Sequence, residues 1–427
     1  MQVKNFHPVK RVSAIFLTLL LASVVVPTQA QKFKVLHTFH GPNGNGPAGV
    51  LARDAAGNLY GTTEAGGSGK CGNFGCGTAF KLNKAGKQIW LHSFSVADGE
   101  EPSAGMLRDV AGNLFGTTLL GGRITKACGG VQSGGCGAVF KLDKTGKETV
   151  LYKFKGTPDG NWPEALLVED GSGNLYGTTY VGGASGVGAI FKVDKAGKET
   201  VLYSFTGGSD GCYPRPGVIL DTAGNLYGVT SVGGVPGFCA GDGVVFKLDT
   251  SDNETVLHAF GGGDGAIPDS VLLFDAEGNL YGTTGAGGSG ECGGTGCGTV
   301  FELSPQSDGK WTETVLYVFC SLSGCVDGEE PSAGPLVRDS KGNLYGTTVF
   351  GGTSRNCNGS GCGTVFKLDT SGKETVLHSF TGGSDGVVPV AGLTTDASGN
   401  LYGVALQGGD NSCNPAHGCG TVFRIVP

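Results

Sequence analysis

Residues 57–63 read GNLYGTT, and GNLYG, or GNLFG once, starts again at Gly112, Gly173, Gly224, Gly278, Gly342 and Gly399. The copies lie 51 to 64 residues apart, the period of a supersecondary repeat that cannot bury its own apolar face alone. Each copy has four parts. An apolar stretch ends in D-x-x-G-N, as in Val50 to Asn58. The string LYGTT follows, with Gly-Gly close behind it. After a variable loop comes G-T-V-F-K-L-D, as in residues 363–369. The last part is E-T-V-L-Y-x-F, as in residues 199–205, followed by a loop that carries Asp-Gly and Pro.

The parts are short, rich in Val, Thr, Tyr, Phe and Leu, and bounded by Gly, Asp or Asn, which is the signature of strands. Asp-x-x-Gly-Asn and Asp-x-x-Gly are tight-turn chemistry, since Gly and Asn accept positive φ. Four antiparallel strands per repeat, a to d, arranged radially, make a propeller blade. The a–b and c–d turns then share one face, and the longer b–c and d–a loops share the other. The chain after residue 30 opens with Phe33 to Phe39, a strand d without a blade, and closes with Gly420 to Ile425, a strand c without a strand d. The expectation is an all-β, seven-bladed β-propeller of four-stranded blades, residues 31–427, closed by its own N-terminal strand. Closure of that kind removes the open sheet edges that invite aggregation. Within a strand d, Val201, Tyr203 and Phe205 are expected to face one neighbouring blade and Leu202 the other.

Residues 1–30 have the form of a signal peptide. Lys4, Lys10 and Arg11 precede the apolar run Ala14 to Val26, and Thr28-Gln29-Ala30 offers small residues for cleavage. That run is shorter than the roughly twenty apolar residues a membrane span needs, and no second one follows. Losing three cations and no acid takes the net charge from −7 to −10, which repels nucleic acid and anionic lipid. Glycine is 82 of 427 residues, far above the usual share of about 7%, and without a collagen period it belongs to turns.

Fourteen cysteines in an exported chain imply disulfides. Close spacing pairs Cys71 with Cys76, Cys128 with Cys136, Cys292 with Cys297, Cys320 with Cys325, Cys357 with Cys362, and Cys413 with Cys419. Cys212 and Cys239 remain, in a d–a loop and the next b–c loop. Zinc is the rival reading, although it needs four converging ligands and the pairs fall on separate repeats.

The combination of GNLYGTT, GTVFKL and ETVLYSF resembles the Gloeo/Verruco (GloVer) tandem repeat of exported bacterial proteins, over about Phe33 to Ile425. The resemblance implies a secreted bacterial propeller, often carrying a C-terminal anchoring module. This chain ends at Pro427 without one, so free secretion is expected. The family supplies no catalytic residues to transfer.

Histidines at one strand-d position (His37, His92, His258, His378) alternate with Tyr152, Tyr203 and Tyr317. A residue that exchanges with Tyr inside one protein fills space and makes a hydrogen bond. His40 and His417 are singletons in loops of the closing blade, where a metal would need them to meet. The seven turn aspartates from Asp54 to Asp396 read as Asx turns bonding their own backbone. Calcium is the alternative there, but it wants about six to eight oxygens and one Asp supplies few. No cofactor is otherwise implied.

The repeats disagree around the Pro of the d–a loops. The residue before it reads Gly46, Glu101, Trp162, Tyr213, Ile267, Glu330 and Val388 in turn, and the residue after it Ala48, Ser103, Glu164, Arg215, Asp269, Ser332 and Val390. A uniform scaffold with a variable rim is how rigid supports present function. Trp162, Glu164, Tyr213, Arg215 and Asp269, from blades three to five, are the candidate ligand-binding set, suited to a sugar or another polar ligand. Glu100-Glu101 and Glu329-Glu330 recur in two copies of DGEEPSAG, and such carboxylates serve glycan hydrolysis when suitably spaced. No nucleophile elbow, zinc-protease, P-loop or dinucleotide motif is present. A binding or interaction module for carbohydrate or an exported protein is the favoured expectation. A glycan lyase or hydrolase, and a purely structural or adhesive envelope protein, are the alternatives.

Overall fold

Strand d of each blade ends in a phenylalanine that meets the strand-c phenylalanine of the next blade, and this contact organises the whole ring. The edge-on pairs are Phe39–Phe80, Phe94–Phe140, Phe154–Phe191, Phe205–Phe246, Phe260–Phe301, Phe319–Phe366 and Phe380–Phe423, with centroids 4.9 to 5.3 Å apart. Twelve of these rings are the largest fully buried side chains of the described residues. Each pair contributes about 0.5–1.5 kcal/mol beyond its buried area. The same rings explain the glycine of LYGTT. A Cβ on Gly61 would lie 2.6 Å from Phe80 Cζ, and on Gly228 2.6 Å from Phe246 Cζ.

The computed structural model describes residues 1, 32–72, 74–128, 134–288, 292, 294–331, 334–357, 359–413 and 417–427. The leader expected over 1–30 lies outside them except for Met1. Seven antiparallel sheets form the seven blades. Blade 1 is typical: strand a is Asn45–Pro47 and Ala52–Arg53, b is Leu59–Ala65, c is Thr78–Leu82 and d is Gln88–Ser93. Blade 7 is closed as the sequence requires, since Lys32–Thr38 pairs antiparallel with Thr421–Val426, with Phe33 opposite Ile425 and Thr38 opposite Thr421.

Two details depart from the sequence reading. Strand a pairs with b only in short pieces, two or three residues near the turn and, in blades 1, 5 and 6, a second piece at its start, because its middle leaves the sheet to touch the neighbouring blade at the axis. There Leu166 N–H donates to Pro216 O, and a Cβ on Gly49 would sit 2.4 Å from Gly105 N. Strand d does not alternate cleanly either. Every c–d pair carries a bulge at the Leu before the strand-d Tyr or His, so Leu202 is skipped between Val201 and Tyr203. A bulge puts two successive residues opposite one and re-aims their side chains. Leu202 and Tyr203 accordingly pack against the same interblade cluster instead of facing opposite neighbours.

The turn aspartates are consumed by their own turns. Asp54 accepts from Asn58 N (2.8 Å), Asn58 Nδ2 (2.7 Å) and the Tyr60 hydroxyl (2.9 Å), and the pattern repeats at Asp170, Asp221, Asp275, Asp339 and Asp396. At Asp109 the hydroxyl is missing because Phe115 stands where the others have Tyr. Six of the seven strand-d His and Tyr do one job, reaching the aspartate of the following loop, as His92 does to Asp98 (2.9 Å), Tyr152 to Asp159 (2.8 Å), Tyr203 to Asp210 (3.0 Å) and His258 to Asp264 (2.9 Å); His37 is the exception, because the loop that follows it, residues 40–46, carries no aspartate.

All seven disulfides form, six as paired by close spacing and Cys212 with Cys239 as the pair that remained. One premise fails, however. The Cys292–Cys297 and Cys320–Cys325 pairs converge, with all four Sγ atoms within 4.8 Å of one another. The b–c loop of blade 5 and the d–a loop after it lie side by side, and the four sulfurs are joined as two disulfides. Disulfides in this number fit an oxidising compartment. Among the described residues no helix is long and apolar enough to cross a membrane.

Candidate functional site

The residue before the d–a loop Pro is held in the left-handed region in every blade. Glu101, Trp162, Tyr213, Ile267, Glu330 and Val388 have φ between 54° and 61°, and Gly46 has 69°. None of the six non-glycine residues favours this conformation, which costs on the order of 1–3 kcal/mol for each and persists only when the surroundings over-determine it. The surroundings do so with backbone bonds. The N–H of each donates to the residue at the foot of the preceding blade's strand c: Glu101 to Cys76 O, Trp162 to Cys136 O, Tyr213 to Val187 O, Val388 to Cys362 O. Their carbonyls accept in turn from the residue that follows GTT or its variant, as Trp162 O does from Tyr180 N and Tyr213 O from Ser231 N.

These backbone bonds bring a third variable ring to the mouth: Glu64, Leu119, Tyr180, Ser231, Gly285, Val349 and Leu406. The sequence reading passed over it. Comparing the seven copies at the column after GTT would have exposed it, because that column varies as widely as the two flanking the Pro.

Of the candidate residues, Glu164, Arg215 and Asp269 meet directly. Arg215 Nε donates to Glu164 Oε2 at 2.5 Å and Nη1 to Asp269 Oδ2 at 3.4 Å. Ser231 Oγ reaches Asp269 Oδ1 at 3.4 Å and the Tyr213 carbonyl at 3.2 Å. Trp162 and Tyr213 do not touch the triad through hydrogen bonds; they join it through Tyr180, which lies between them. Tyr180 stacks on Tyr213 at 4.9 Å and 27°, and on Trp162 at 6.5 Å and 17°. An aromatic shelf thus runs beside the triad.

Two cavities flank this assembly and share Glu164 and Arg215. One, of about 600 Å³, sits on the axis and takes residues from all seven blades, including Glu64, Asp269 and Glu330. The other, of about 820 Å³, runs outward under Trp162, Tyr180, Leu119 and Ile124. Both are of the size that holds a small ligand.

Carboxyls crowd the mouth. Burial, then the charges of Glu101 and Glu164, push Glu64 up to about 7 against the pull of Arg215. Burial raises Asp269 to about 6, with Arg215 opposing and Glu164 adding to the rise. Glu101 is raised by burial and by Glu164, and Glu330 by burial and by Glu329. The octapeptide glutamates fall on this rim: Glu100 lines the outer cavity, Glu329 and Glu330 line the axial one, and the charge of Glu101 acts on Glu64. His40 pairs with Asp410 (Nδ1 to Oδ2 3.0 Å) rather than joining His417 among the described residues.

A seven-bladed β-propeller with invariant seams and a variable, carboxyl-rich mouth is the class this architecture defines. Within that class the chain belongs to the Gloeobacter/Verrucomicrobia repeat family, whose repeat matches residues 71–295 and 291–427. No curated protein matches the sequence. Among solved structures the fold is similar to a catalytically inactive virginiamycin B lyase from Staphylococcus aureus with quinupristin, at 12% identity and a TM-score of 0.56, covering 93% of this chain and 99% of that one. It is also similar to the extracellular domain assigned to a hybrid two-component system of B. thetaiotaomicron, at 15% identity and TM-score 0.54, covering 93% of this chain and 42% of that one. A fungal alcohol oxidase of the AA5 family with copper matches at 14% identity and TM-score 0.54, over 93% and 77%. At such identities the likeness concerns the fold alone.

Proposed function

We propose that this chain is an exported binding propeller of the bacterial envelope exterior or periplasm, released from a leader at residues 1–30, and that its mouth holds a carbohydrate chain. The observation that carries the reading is the Trp162–Tyr180–Tyr213 shelf beside the Arg215–Glu164–Asp269 triad, over two adjoining cavities. Sugar rings offer apolar C–H faces that pack on aromatic faces, and hydroxyls that bond to charged groups at their edge. The seven disulfides, which staple loops rather than sit reduced, support export.

One observation favours catalysis as the second reading. Glu64, raised to about 7, is neutral at mildly acidic pH and shares the axial cavity with Glu164, and carboxyls with separated ionisation supply the acid and base of glycan cleavage. Incubating the purified protein with a panel of soluble polysaccharides separates the readings. Retention of intact glycan, lost in Trp162→Ala, is the expected result. Shortened products by mass spectrometry establish an enzyme instead, and neither retention nor products leaves a protein partner or a structural, adhesive role.

A further inference from the structure

The mouth has more carboxyls than it can neutralise. Glu64, Glu164, Asp269, Glu329 and Glu330 line the axial cavity, and the charge of Glu101 also acts on Glu64. Arg215 is the only Lys or Arg on that lining among the described residues, and its guanidinium is already engaged by Glu164 and Asp269. Glu64 and Glu101 make no salt bridge of their own among the described residues. Buried carboxylates without a compensating charge are costly, and a bound cation within a few ångströms removes that cost by favouring their charged form.

Beside these acids stand the rings of Trp162, Tyr180 and Tyr213, and a ring face attracts a cation through its quadrupole. The outer cavity runs from the shelf to Glu164 and Arg215, where it meets the axial cavity. A ligand that presents a sugar ring to the shelf therefore directs its next substituents toward the carboxyls of the axial cavity, Glu64 among them. The chain as a whole is acidic, at −7, so its field also draws cations inward.

We infer that the mouth selects glycans bearing free amines, such as a polymer of unsubstituted glucosamine, over their N-acetylated, neutral or acidic counterparts. This inference rests on the reading of the mouth as a glycan site. The ammonium sits at Glu64 in the axial cavity, and the sugar ring lies against the Trp162–Tyr180–Tyr213 stack. Because Glu64, with Glu101, Glu164 and Arg215 as its charged neighbours, holds its proton to about 7, an arriving ammonium displaces that proton at mildly acidic pH. Binding is coupled to proton release.

The test is calorimetry of the full protein with short glucosamine oligomers, N-acetylglucosamine oligomers and oligolysine, in buffers of different ionisation enthalpy. The amine oligomer is expected to bind at least tenfold more tightly than the N-acetyl form, weaken with added salt and release protons. Glu101→Gln is expected to lose about tenfold for the amine oligomer and nothing for the N-acetyl form, whereas Trp162→Ala weakens both. Equal binding of the two oligomers, with Glu101→Gln silent, overturns the amine assignment and leaves the glycan reading standing. Binding of neither oligomer overturns both. Oligolysine that binds as tightly as the sugar amine, and survives Trp162→Ala, overturns the assignment in favour of a basic peptide.

Discussion

The seams between blades and the mouth of the channel are built from the same repeat, yet they use it in opposite ways. At the seams all seven copies set a Phe edge on a Phe face, and six of them set a Tyr or His on a loop aspartate. At the mouth seven copies hold one backbone conformation and present Gly, Glu, Trp, Tyr, Ile, Glu and Val from it. Where the copies agree, the residues hold the ring together. Where they disagree on an identical and strained backbone, the strain serves presentation rather than stability.

The contrast can be broken most directly by mutation at each place. Phe246→Ala removes a fully buried ring from the seam and is expected to lower the unfolding free energy by about 3–5 kcal/mol. Glu164→Gln at the mouth is expected to lower it by about 1 kcal/mol or less, since Arg215 is half exposed and keeps Asp269 as a partner; denaturant titration of both gives the answer, and equal losses would erase the distinction. The reverse holds for binding. Tyr180→Ala, which removes the ring between Trp162 and Tyr213, should weaken glycan by about 2 kcal/mol, some thirtyfold in Kd, while thermal unfolding stays near wild type.

A pH series sharpens the comparison next. Along the seams Glu199, Glu254, Glu313 and Glu374 are pushed up to about 7 by burial and by the loop aspartate facing each. Their folded pKa lies above the unfolded value, so folding takes up protons and their contribution is fully present below about pH 4.5. It is lost as pH rises toward 7. The turn aspartates act oppositely, since hydrogen bonds from Asn and Tyr hold Asp54 and Asp221 below the usual value; their contribution disappears only under stronger acid. The thermal midpoint should therefore fall between pH 5 and pH 8, and Glu254→Gln should make that fall shallower. An unchanged slope would mean that the seam glutamates do not carry it.

The smallest effect concerns strain. Val388 is β-branched at φ 58°, so Val388→Gly should relieve more strain than the flexibility of glycine costs, a net gain of about 1 kcal/mol. Destabilisation would show that the rim backbone is not strained.

Most of the fold was legible because repetition isolates it. The orphan strand at Phe33 to Phe39 announced the closure, and cysteine spacing announced the pairs. The strand-d bulge was not legible, since V-L-Y reads as ordinary alternation and only the pairing register reveals the skipped Leu202. At the mouth, Trp162, Glu164, Tyr213, Arg215 and Asp269 stood out by their variation. Tyr180 and Glu64 were hidden in what looked like the end of a regular strand, and only the backbone bond from Tyr180 N to Trp162 O brings that column to the rim. The left-handed backbone of Trp162 or Val388 was beyond reach as well, because neither side chain asks for it and the preceding blade imposes it.

Hydrogen–deuterium exchange of the protein with and without a retained glycan tests the division between scaffold and mouth most directly. Protection confined to residues 161–165, 178–182 and 212–216, with the a–b turns unchanged, is the outcome this account requires. Protection centred on the turn face or the outer strands, with those three segments unaltered, would contradict it.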